Sequence, residues 1–147
     1  MADKGLIISE TGAQRLIGYV LDLGAGDGRA RCRLGLTHDH LNRHGVLHGG
    51  LSATLLDNAM SATASLTVDT TGRAPFLTVS LNVHYLAGAN LGATVIASGR
   101  VTGGGKSLLF LDGDLRDDAD RLIATATGVF KRVPPDRLQK GTGAGDA

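Results

Sequence analysis

The sequence predicts an α+β fold in which an antiparallel sheet wraps one long central helix, and three observations carry the prediction. A proline-free stretch from His48 to about Leu66 places Leu51, Leu55, Ala59, Ala62 and Leu66 at helical spacing, one apolar stripe of an amphipathic helix that starts near Gly49. Two short β-prone segments precede that stretch and four follow it. The chain has 147 residues, 42% of them hydrophobic, which is enough for one core and leaves no room for a second domain.

In chain order, residues 1–11 read as a flexible arm, with Ser9 to Arg15 able to form a short helix capped by Ser9 or Thr11. Ile17 to Leu23 and Arg29 to Leu36 form a hairpin across the turn-rich Gly24-Ala25-Gly26-Asp27-Gly28. That turn is no dinucleotide fingerprint, because Arg29 stands where the third glycine belongs and no helix follows. Thr37 to Leu47 is a long loop, and loops of that length between regular elements usually carry function. After the helix come strands over Phe76 to Leu86, Ala93 to Thr102, Ser107 to Arg116 and Arg121 to Arg132. The first of these alternates strictly, with Val79, Leu81, Val83 and Tyr85 on the face turned to the helix and Thr78, Ser80, Asn82 and His84 on the other. Residues 12–132 thus make up the domain. Residues 133–147, with Pro134-Pro135 and a glycine-rich end, have no apolar periodicity and read as a disordered tail.

Polar chemistry and the long helix meet in one place, Asn42 to Met60. Gly49 and Gly50 start the helix with backbone N–H groups unshielded by side chains, at the positive end of the helix dipole. A carbonyl oxygen that gains negative charge would be stabilised there. Asp57 lies about 240° around from Leu51, on a second face with Gly50, Thr54, Ser61 and Ser65. Its neighbours Leu55, Leu56, Ala59 and Met60 imply a largely buried helix, where an unpaired carboxylate is costly and so needs a reason. Taken singly, the ordinary readings stand beside these: a solvated aspartate at 57, a turn residue at Asn42, a β-branched strand residue at Thr78.

The run Asn-x5-His-Gly-Gly, followed by Asp57 in Leu-Leu-Asp-Asn-Ala, resembles the PaaI-like family of hotdog-fold acyl-CoA thioesterases over roughly residues 12 to 132. The resemblance implies a hotdog fold and hydrolysis of an aryl-CoA or a short or medium acyl-CoA. It makes Asp57 the nucleophile or the base towards water, and the Gly49 N–H the donor to the thioester oxygen with His48 shaping that site. It gives Asn42 and Thr78 the task of orienting water or nucleophile, Gly50 and Thr54 a place against the substrate, and Gly104, Gly105 and Lys106 a place along the CoA arm. It implies no separate cofactor, CoA being part of the substrate. It also implies a dimer with its active sites at the subunit interface, and pairing of dimers into a homotetramer. Helix geometry permits the interface independently: Gly49 and Asp57 stand eight residues apart, about 12 Å along one helix, too far to serve one carbonyl together unless a neighbouring antiparallel helix supplies one of them.

Other classes fit less well. A net charge of +1 without a basic block gives no reason to expect nucleic acid or an anionic membrane as partner. The N-terminus lacks the regions of a signal peptide and no apolar run reaches membrane length, so the expected compartment is the cytoplasm. His38, His40, His44 and His48 crowd the loop but show no metal-ligand spacing, so no metal is expected. Gly103-Gly104-Gly105-Lys106-Ser107 lacks the first glycine of a phosphate loop and runs into a strand, leaving either a ligand-facing turn or an exposed hairpin lysine. The single Cys32 cannot form an internal disulfide and reads as a strand residue. Two further readings of the same fold are a module that binds acyl-CoA without hydrolysing it, which has no evident need of Asp57, and a hydratase, to which Asp39 and His44 beside Asn42 correspond only faintly.

Overall fold

A computed structural model describes residues 4–138. The elements run β1 (Leu6–Ile7), α1 (Gly12–Ile17), β2 (Val20–Asp22), β3 (Arg31–Gly35), a 3-10 turn (His38–His40), α2 (Gly49–Leu66), β4 (Phe76–Tyr85), β5 (Thr94–Gly104), β6 (Leu108–Asp117), β7 (Leu122–Arg132) and a closing 3-10 turn (Pro135–Arg137). The strands form one seven-stranded antiparallel sheet in the order β1-β2-β3-β5-β6-β7-β4. It wraps α2, which packs against β3, β5, β6, β7 and β4. The predicted α+β architecture is the observed one. No helix among the described residues is long and apolar enough to cross a membrane.

The apolar stripe of α2 is broader than its spacing suggested. Leu55, Ala59 and Ala62 are buried as expected, but the fully buried residues also include Leu56 and Met60, because a curved sheet touches more than one narrow face. Close approach depends on bare backbone beneath the helix. A Cβ on Gly99 of β5 would stand 2.8 Å from the Ala59 carbonyl oxygen and 2.9 Å from Met60 Cα. On the facing Gly113 of β6 it would meet Met60 Sδ at 2.8 Å, and on Gly128 of β7 Met60 Cε at 3.1 Å. The Met60 side chain thus lies over Gly113 and Gly128 while Gly99 lets the helix backbone come close, and Thr63 pins the helix next to it. The Thr63 hydroxyl donates to the Ala59 carbonyl at 2.7 Å and accepts from the Ala30 N–H at 3.0 Å.

Three expectations need correction. Leu6–Ile7, assigned to a flexible arm, forms a strand paired with Leu21 and Asp22, and Gln14 ties it down by donating its side-chain amide to the Ile7 and Tyr19 carbonyls. The short first helix is capped by Thr11 and takes in Ile17, and Gly18, at φ 91°, stops it, so β2 begins only at Val20. The third correction concerns β4. It pairs with β7 as Thr78↔Phe130 and then Ser80↔Val129, so Val79 is an extra residue and the strand changes parity there. Phe130 is fully buried against the helix, and directly paired residues share a sheet face. Thr78 therefore points at the helix together with Leu81, Val83 and Tyr85, and only Ser80, Asn82 and His84 keep the outer side that strict alternation assigned them. The tail expected over residues 133–147 begins with the Pro135–Arg137 turn, and residues 139–147 lie outside the described range.

Cys32 sits on β3, fully buried, and burial pushes its thiol up to about 12. The native protein is expected to leave a disulfide-exchange reagent such as dithionitrobenzoate unreacted, with its single thiol appearing only in denaturant; fast labelling of the folded chain would contradict this burial.

Candidate active site

The loop before α2 sets the helix start. His40 is buried, its Nδ1 accepting from the Thr37 N–H at 2.9 Å and its Nε2 bonding the Ile17 carbonyl at 2.7 Å. Its own carbonyl accepts from the His48 N–H at 2.9 Å, so a structural histidine fixes where the helix begins. The four histidines do not converge, and among the described residues no three His, Cys, Asp or Glu side chains gather as a metal set. Asn42 closes its own turn: its Oδ1 accepts from the N–H groups of His44 at 2.9 Å and Val46 at 3.3 Å. That oxygen is spoken for, which leaves the side-chain amide as the group Asn42 can offer a ligand.

His48 is the N-cap of α2, and its Nδ1 accepts from the Gly50 N–H at 2.9 Å. The N–H groups of Leu51 and Ser52 both donate to the His48 carbonyl, at 3.0 and 3.1 Å. Among the described residues, Gly49 is the one first-turn residue whose N–H has no acceptor. The two glycines are bare for different reasons. A methyl group at 50 would lie 3.0 Å from His48 Nδ1, and one at 49 would lie 3.3 Å from the Tyr85 ring, whose hydroxyl donates to the Gly49 carbonyl at 2.7 Å. Thr54 turns its hydroxyl back onto the Gly50 carbonyl at 2.9 Å, a bond within the helix.

Two turns further along, half-buried Asp57 receives the Thr78 hydroxyl on Oδ1 at 2.6 Å. The parity change at Val79 makes this contact, since an unbroken alternation would turn Thr78 away from the helix. Asp57 has no cation paired with it among the described residues. The carboxylate thus keeps its second oxygen open, and the Thr78 oxygen, its hydrogen bond donated to Asp57, has lone pairs for a water. If Thr78 places the attacking atom, replacing it by valine, which keeps the shape and removes the hydroxyl, should lower kcat about tenfold with KM little changed. Steady-state kinetics on the variant would check it, and a change confined to KM would argue that Thr78 contacts only bound substrate.

Lys106 and the glycines before it lie at the other end of α2. Gly104 has φ 112°, and a Cβ there would overlap the Leu108 carbonyl, so the β5–β6 hairpin requires glycine at that position. Gly105 and Lys106 line a cleft of about 410 Å³ with Thr67, Val68, Phe76, Leu109 and Arg132. Arg132, at the end of β7, brings a second cation to that cleft, and Tyr85 brings a hydroxyl to the helix start; neither was nominated from the sequence. Alternation turned Tyr85 towards the helix, but where along the helix it lands, and where Arg132 ends, follow from pairing of distant strands. Thr67 stands ten residues beyond Asp57, about 15 Å along the helix.

Four likenesses to known proteins bear on this geometry. A family model described as the thioesterase superfamily matches residues 44–124. Acyl-coenzyme A thioesterase 13 of Homo sapiens is 36% identical over 112 residues, covering 76% of this chain and 78% of that protein. Among solved structures, zebrafish thioesterase superfamily member 2 is similar at a TM-score of 0.69 and 30% identity, covering 86% of this chain and 88% of that one. The E. coli PaaI protein of the phenylacetic acid degradation operon shares the fold at a TM-score of 0.71 and 20% identity, over 85% of this chain and 86% of that one.

Proposed function

We propose that this chain, which belongs to the thioesterase superfamily as a PaaI-like hotdog thioester hydrolase, cleaves an aryl-CoA or a short or medium acyl-CoA to the free acid and CoA. The observation that carries the mechanism is the 2.6 Å bond from Thr78 to Asp57. A hydroxyl donated to one carboxylate oxygen weakens that oxygen as a nucleophile, while the Thr78 lone pairs and Asp57 Oδ2 can hold a water between them. Asp57 acts as the base. The water oxygen bonds to the thioester carbon as its proton passes to Asp57, and the carbonyl electron pair moves onto oxygen, where the free Gly49 N–H receives it. Collapse of that intermediate reforms the carbonyl and breaks the C–S bond, and the CoA sulfur leaves with the proton that Asp57 took from the water, which restores the Asp57 carboxylate. His48 shapes the oxyanion site, and Asn42 offers its amide to the water.

Asp57 and Gly49 on one helix cannot share a carbonyl, being about 12 Å apart, so the working unit is a dimer in which one protomer supplies Asp57 and Thr78 and its partner supplies the helix start. Strand β4 supports this reading: it lies at the sheet edge, is long, and leaves Leu77 and Val79 56% and 59% exposed. Dimers pair into a tetramer through the outer sheet face that carries Ser80, Asn82 and His84. The phosphates of CoA lie by Lys106 and Arg132, with Gly104 and Gly105 beside the CoA arm, while Gly50 and Thr54 stand against the substrate at the helix start. The reaction needs no separate cofactor, and the compartment is the cytoplasm.

The experiment is release of free CoA thiol from a panel of aryl, short and medium acyl-CoA substrates. Turnover supports the hydrolase and ranks its substrates. Tight binding of acyl-CoA with no thiol release from any of them would replace it with a binding module.

A further inference from the structure

Glycine is the poorest helix former after proline, so a helix that opens with Gly49-Gly50 has little of its own to hold its first turn still. That turn is where an oxyanion donor has to be fixed before the reaction, since catalysis gains most from dipoles that need not reorganise. The holding group comes from outside the helix. Tyr85, the last residue of β4, lays its ring against Gly49, 3.3 Å from where a Cβ would be, and donates its hydroxyl to the Gly49 carbonyl at 2.7 Å.

That carbonyl and the Gly50 N–H belong to one peptide unit, and the N–H in turn donates to His48 Nδ1 at 2.9 Å. The three groups form one line: hydroxyl to carbonyl, through the peptide, and N–H to imidazole. Each bond polarises the next in the same sense, because a donor on the carbonyl oxygen makes the amide N–H across the same peptide a stronger donor. An imidazole that accepts at Nδ1 carries its proton on Nε2 when neutral. We infer that Tyr85 is a positioning residue for thioester hydrolysis: acting through the Gly49–Gly50 peptide, it holds His48 in the Nε2–H tautomer and fixes the helix start so that the free Gly49 N–H stands ready for the oxyanion.

Tyr85 itself touches no reacting atom, and the inference rests on the proposed role of Gly49 as oxyanion donor. The ring and the hydroxyl do different things, which makes them separable. Phenylalanine keeps the packing against Gly49 and removes the relay, whereas alanine removes both.

The test compares wild type, Tyr85→Phe and Tyr85→Ala in the thiol-release assay, with thermal midpoints and histidine ¹⁵N spectra on the same samples. Tyr85→Phe is expected to lose about tenfold in kcat with KM within about twofold, less than direct removal of an oxyanion donor costs. Its thermal midpoint should stay close to wild type while the His48 signals move from the pure Nε2–H pattern towards a mixture of tautomers. Tyr85→Ala should lose more kcat and raise KM. A Tyr85→Phe enzyme with wild-type kcat and an unmoved His48 tautomer would overturn the inference, as would a loss confined to KM. If the wild type itself releases no CoA from any substrate, the proposed hydrolysis fails first and takes this inference with it; an active wild type with an indifferent Tyr85→Phe defeats the inference alone.

Discussion

Asp57→Asn should lower kcat by about a thousandfold or more while leaving the fold and KM nearly unchanged, the pattern expected when a general base loses its charge and little else. Asparagine matches aspartate in shape and its amide oxygen can still accept from the Thr78 hydroxyl, so the 2.6 Å contact between helix and β4 survives. No cation is paired with Asp57 among the described residues, so removing the charge strands no partner. Asp57→Ala should be equally inactive but should also lose the hydrogen bond that steadies Thr78. Thiol release measured beside a thermal melt decides the matter. A variant that melts like wild type and retains more than about a tenth of its turnover would remove Asp57 from the chemistry.

Gly99→Val should destabilise the protein by about 3 kcal/mol or more, a large share of the roughly 5–15 kcal/mol that holds a domain of this size together. The atoms a side chain would meet there are mostly backbone, the Ala59 carbonyl and Met60 Cα, besides the Thr63 hydroxyl that ties the helix to Ala30. None of these can swing aside as the end of a methionine can. The central helix would have to lift off β5, opening the packing around Leu56 and Met60. Gly103→Val is the control on the same strand, since a Cβ there meets only Phe110 Cδ2 at 3.5 Å, an ordinary contact. Denaturant melts of the two variants side by side should separate widely, and coincident midpoints would show that the helix tolerates the intrusion.

The two periodicities that sequence displays well are the ones that located the fold. The helical stripe of α2 and the β-prone segments on either side of it stand where expected, because 3.6-residue and 2-residue repeats are local properties. What depended on distant partners was not legible. Leu6 and Ile7 are too few to show a strand pattern, and only the neighbouring β2 and the Gln14 amide give them one. Burial of Leu56 and Met60 was readable from their apolar neighbours, but not the glycines of the curved sheet that make room for them. In the candidate site, Asp57 and the His48-Gly49-Gly50 start were readable as one cluster, since a single helix carries them. Thr78 was nominated by resemblance while its periodicity assigned it to the wrong face. Tyr85 was placed on the helix-facing side by its alternation, but nothing local showed that it ends at the helix start, and Arg132 gave no sign of meeting the β5–β6 hairpin.

The irregularity at Val79 places the strand's length, more than its composition, under constraint. A substitution there changes one side chain and leaves the pairing of the flanking residues as it is. Deleting it, or adding a neighbour, would exchange the wet and dry sides of every residue on one flank of the strand while leaving each of those residues chemically intact. Thr78 would still be a threonine and Asp57 an aspartate, but they would no longer face each other. In β4, then, counting matters as much as spelling.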